Sequence, residues 1–131
     1  MAHPKSDPCP RVLALVRVLG ISRIVYGLGL LVAPRAIAGH WLGAGATSTA
    51  ALPPARSLGI RDAVIGAATL TTINNPKTCA RVVAWGAAGD TVDALGTVIA
   101  HHDDQRVQRA YAVIAALAAV LSLGLASRLR Q

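Results

Sequence analysis

Residues 110–127 carry no charged side chain, and Arg128 and Arg130 follow at once. An apolar segment closed by cations in this way has the form of a membrane span. About 20 helical residues cross the hydrocarbon, and Lys or Arg collects at its edge. A chain of 131 residues is enough for one domain and no more. Three more apolar segments are present, at about 12–33, 55–73 and 80–100. Proline, Asn-Asn-Pro or a polar run separates them. The expected fold is all-α, a four-transmembrane-helix bundle forming a single membrane domain over residues 1–131.

Composition agrees with a lipid-facing surface. Charged residues make up 15% of the chain and hydrophobic residues 53%, with a mean hydropathy of +0.50. A soluble domain usually carries about 25% charged residues, because its surface must be wetted. The net charge of +7 would suit nucleic acid on a soluble protein. With only 3% aromatic residues and no Phe, stacking platforms are missing, and no nucleic-acid partner is expected. Cys9 and Cys79 have no metal-ligand spacing and are read as unpaired thiols.

The connectors refine this outline. Residues 1–10 contain Pro4, Pro8 and Pro10 and read as an irregular tail. Ala36-Ile37-Ala38 before Gly39 resembles a signal-peptide cleavage site. The arginines ahead of residues 24–33 do not suit such a signal, so the first stretch is expected to stay as a span. A short interfacial helix is expected over 36–42, beside His40 and Trp41. Thr78 is the expected cap of the third span. Lys5, Arg11, Lys77, Arg81, Arg128 and Arg130 would share one side. That places a multi-pass protein in the plasma membrane with both termini cytoplasmic.

The residues that carry chemistry lie inside the spans. Gly59, Asp62 and Gly66 fall on one helical face, and Arg61 points about 100° away. Asp90 and Asp93 share a face with Gly86 and Gly89. A carboxylate at that depth needs a cation beside it, and Arg23, Arg61 and Arg56 are within the same spans. Arg23, Arg61, Asp62, Asp90 and Asp93 therefore form the candidate polar cluster, either a ligand site or a structural lock on helix register. Gly59, Gly66, Gly86 and Gly89 are the candidate helix-packing positions. Gly89, next to Asp90, is an expected point of close helix approach.

Other chemistry is poorly supported. His101-His102-Asp103-Asp104 reads as a solvated loop, since adjacent helical residues cannot converge on one metal ion. Cys79 has no His near it in sequence to act as a base. No phosphate loop, zinc-protease motif or nucleophile elbow occurs. Neither an enzyme nor a cofactor is expected.

Gly59-Ile-Arg61-Asp62-x-x-x-Gly66, with Gly89-Asp90 further on, resembles an uncharacterised family of short multi-pass membrane proteins of bacteria and fungi. The resemblance spans the second and third helices and implies a four-helix membrane bundle, with no assigned activity. The high Ala, Arg, Gly and Val content is that of a GC-rich bacterial genome. Two functions fit these readings. One is a small protein, dimeric if it transports, that binds or moves a small polar or lipid ligand through the Arg/Asp cluster. The other is a non-catalytic accessory subunit of a larger membrane complex, docking through small-residue faces that include Gly20, Gly27, Gly86 and Gly89.

Overall fold

A computed structural model describes residues 8–42, 48–99 and 105–130. All regular structure among them is helical. In chain order the α-helices are α1 (Pro10–Val32), α2 (Pro34–Leu42), α3 (Leu52–Thr71), α4 (Pro76–Ile99) and α5 (Gln105–Arg128), with a 3-10 turn at Thr49–Ala51 before α3. Two of them, α1 and α4, are long and apolar enough to cross a membrane. In α5 the apolar part runs over Ala112–Arg128.

Proline begins these helices more often than the sequence reading allowed. Pro10 opens α1 instead of closing the tail, and Pro76 opens α4. The first helical positions have no carbonyl partner to lose, and the ring fixes φ near its helical value. Pro34 both ends α1 and starts α2. Ala33, just before it, leaves the helical region at φ −130° and ψ 57°, as the proline ring requires of its predecessor. The α4 cap is Asn75, not Thr78. Asn75 Oδ1 accepts from the Thr78 N–H at 3.2 Å, and its carbonyl accepts from the Cys79 N–H at 2.9 Å. Asn75→Ala should therefore lower stability by ~1 kcal/mol, readable as a small fall in melting temperature in detergent. Thr78→Ala should leave that temperature nearly unchanged.

Two helix pairs make up the fold. α1 packs along α3, α4 packs along α5, and the contacts between pairs are sparser. The α1–α3 seam has a regular period. Its buried positions are Val16, Gly20, Arg23, Gly27 and Leu30 on α1, and Ala55, Gly59, Asp62, Gly66 and Thr69 on α3. Steps of four and three alternate on both helices, the spacing of a knobs-into-holes seam. Glycine on each side lets the backbones meet. A Cβ added to Gly59 would lie 2.6 Å from the Gly27 carbonyl, and one added to Gly66 would lie 2.5 Å from that of Gly20.

At the end of the bundle where α1 starts and α5 finishes, Val16, Cys79, Ala80, Val83, Ala126 and Leu129 bury one another. A smaller cluster at the other end joins Leu30, Ala38 of α2 and Ala55. The outer faces remain apolar. Val18, Val25 and Val32 on α1 are exposed, as are Trp85, Val92 and Ile99 on α4, each set spaced by sevens. Ile60 and Val64 on α3, and Leu117 and Leu121 on α5, are exposed too. Apolar surface of that extent on four helices is not matched by the small buried clusters within.

Candidate functional site

Five charged residues of the long helices meet at the junction of α1, α3 and α4. Arg23 projects from the middle of the α1 seam and is 8% exposed. Its Nη1 donates to Asp62 Oδ1 at 2.9 Å, and its Nη2 donates to Asp90 Oδ2. One planar guanidinium thus holds carboxylates from two different helices. The fork geometry that arginine presents makes this feasible where an ammonium would not serve as well.

Arg61 completes a second pairing. It follows the helix rotation away from Asp62 and grips Asp93 with both ends of its fork, Nη1 to Oδ1 at 3.1 Å and Nη2 to Oδ2 at 2.6 Å. Paired N–H donors of this kind are the strong form of a charge-assisted bond. Arg61 Nη2 also lies 3.4 Å from Asp62 Oδ1, which links the two pairings into one network. Arg61 Nε is buried and has no hydrogen-bond partner. Arg61 and Asp93 are partly exposed, whereas Arg23, Asp62 and Asp90 are buried.

All five residues singled out from the sequence therefore come together. Arg56 does not join them; it is exposed and makes no ion pair among the described residues. The glycines divide into two groups. Gly59 and Gly66 bring α1 and α3 into backbone contact. Gly86 and Gly89 make room for arginine instead. A Cβ on Gly86 would sit 3.2 Å from Arg23 Nη2, and one on Gly89 would sit 3.2 Å from Arg61 Nη1. The close backbone approach expected at Gly89 is thus found between α1 and α3. Each of these α4 glycines stands one helical turn before the aspartate that binds the same guanidinium, so the flat group lies along the helix surface.

Above the network is a cleft of about 370 Å³, reached between α1 and α5. Its charged lining is Arg23, Asp62, Asp90 and Asp93. Leu19, Ser22 and Tyr26 of α1 form one wall, and Ile114, Ala115 and Ala118 of α5 form the other. Sequence reasoning missed these walls. The α1 wall had a trace in the spacing of Leu19, Ser22, Arg23 and Tyr26 on one face of the helix. The α5 wall is plain Ala and Ile, with no signal to separate it from any other apolar surface.

Cys79 is fully buried, with its thiol directed to the Thr69 carbonyl at 3.7 Å. It is a packing residue at the end of the bundle. His101-His102-Asp103-Asp104 lies outside the described residues. Among the described residues, no group of His, Cys, Asp and Glu has the arrangement of a metal site. No protein-family model matches this chain, and neither a curated protein nor a solved structure matches it.

Proposed function

We propose that this chain is a non-catalytic, four-span protein of a bacterial plasma membrane that binds a small polar or lipid ligand in the cleft over the Arg/Asp network. The carrying observation is the placement of Arg23, Asp62, Asp90 and Asp93 in the lining of an open cleft. A lock for helix register has no need of such an opening, since pairing at the helix junction is all it requires. The glycines that would dock an accessory subunit also favour the ligand reading. Gly20, Gly27 and Gly86 are buried within the chain's own fold, and Gly89 faces Arg61. The resemblance carried by Gly59, Arg61, Asp62 and Gly66 points the same way as regards membrane location.

The apolar outer faces of all four long helices support the four-span reading. So does the distribution of cations. Arg11, Lys77, Arg81, Arg128 and Arg130 belong to the helix ends gathered around Val16 and Leu129, and this end would face the cytoplasm. Reporter fusions placed after Gln131 and between residues 43 and 51 should report opposite sides of the membrane. Both on one side would remove the four-span reading. For the site, the full-length protein purified in mild detergent should release a small molecule on denaturation, detected by mass spectrometry. Ala118→Phe, which fills the cleft from α5, should be folded yet empty. Equal yields from both proteins would sink the ligand reading.

A further inference from the structure

The cleft is unbalanced in charge. Asp62, Asp90 and Asp93 line it, and among the described residues Arg23 is the one cation in its lining. Adding Arg61 behind Asp93 brings the network to three carboxylates against two guanidiniums. With all five groups ionised, one negative charge is left over. The hydrogen bonding shows where. Arg23 donates from Nη1 to Asp62 Oδ1 and from Nη2 to Asp90 Oδ2, and both Asp93 oxygens are taken by Arg61. No hydrogen bond among the described residues reaches Asp62 Oδ2 or Asp90 Oδ1. These two side chains are each 9% exposed. Both residues line the cleft, and neither oxygen is among the enclosed atoms left without a partner, so a ligand in the cleft can reach them.

Among the described residues an anionic ligand finds no spare cation here, because the guanidinium in the cleft already holds two carboxylates. A neutral ligand would leave the surplus charge in place. Building on the ligand reading above, we propose that the cleft takes a monovalent organic cation, a protonated amine with an apolar body. Its ammonium donates to Asp62 Oδ2 and Asp90 Oδ1, and the body lies between Leu19 and Leu58 on one side and Ile114 and Ala118 on the other. The walls and the surplus charge thus select for two different parts of one molecule.

Three probes of one shape separate charge from fit: 2-phenylethylammonium, 2-phenylethanol and phenylacetate. Each is titrated by calorimetry into the full-length protein in neutral detergent. The ammonium compound should bind saturably and raise the melting temperature, and the other two should do neither. Asp90→Asn balances the network and should weaken ammonium binding by about tenfold or more, the scale of one unit charge at contact distance in a partly buried site. Ala118→Phe keeps every charge and should abolish binding, so a folding defect in Asp90→Asn leaves the test intact. Equal or tighter binding of phenylacetate or phenylethanol would overturn the cation assignment. If that binding is nevertheless lost in Ala118→Phe, the cleft remains a ligand site of another selectivity. If none of the three binds, the cation proposal falls, and the ligand reading then rests on the copurified molecule alone.

Discussion

Arg23→Gln is expected to destabilise the protein by ~3–5 kcal/mol, the usual result of removing one partner from a buried ion pair. The substitution strands two carboxylates at once. Asp90 loses its sole donor in the network, and Asp62 keeps only the long contact to Arg61 at 3.4 Å. The loss reflects uncompensated charge more than any large net gain from the native pairs. Removing all three charges should therefore be milder than removing one. The triple variant Arg23→Gln, Asp62→Asn, Asp90→Asn should recover most of the melting temperature, since the three amides can bond among themselves. The measurement is thermal unfolding in detergent of the single, double and triple variants. A triple variant as damaged as the sum of its parts would mean that these side chains do not act on one another.

Gly27→Leu should be the most damaging change among the glycines. A Cβ there would collide with the Gly59 carbonyl and lie 2.7 Å from the Ala63 backbone nitrogen. The obstacle is the main chain of α3, which cannot turn aside as a side chain can. The cost should reach or exceed the ~1–3 kcal/mol typical of overpacking. Gly124→Leu on α5 is the control, because nothing lies within 4 Å of a Cβ at that position. Gly89→Ala should fall between the two, since it meets the movable tip of Arg61. Retention volume on gel filtration and melting temperature together score all three. If Gly27→Leu and Gly124→Leu behave alike, α1 and α3 do not touch at the backbone.

Much of the network was legible because helical geometry is regular. Gly59, Asp62 and Gly66 had to share a face, Asp90 and Asp93 had to share another, and Arg61 had to turn away from Asp62. Which arginine met which aspartate was not legible. That depends on how far each helix rotates against its neighbour, and one residue's difference in rotation would exchange the partners. Gly89 shows the same limit. Its small size signalled that something approaches closely, yet nothing local distinguishes a helix backbone from a guanidinium. Boundaries failed where proline has two roles. At Pro10 and Pro76 the sequence pattern suggests an interruption, while the free N–H positions of a first turn make proline a starting residue. The cleft's α5 wall arises only from tertiary placement, and alanine carries no mark of what it faces.

The paired glycines of α1 and α3 restrict how this gene can change in length. Gly20 meets Gly66 and Gly27 meets Gly59 across antiparallel helices, so each helix has the same interval between its two glycines. Inserting a single codon between positions 20 and 27 would turn one contact by about 100° while the other stayed fixed. A bulkier residue would then be driven into the facing backbone, and Arg23 would swing away from Asp62. Such an insertion should be far less tolerated than one outside both helices, which alters neither interval. Deletions and insertions in this stretch of α1 should therefore be accepted only with a matching change between positions 59 and 66, or in lengths that restore the face.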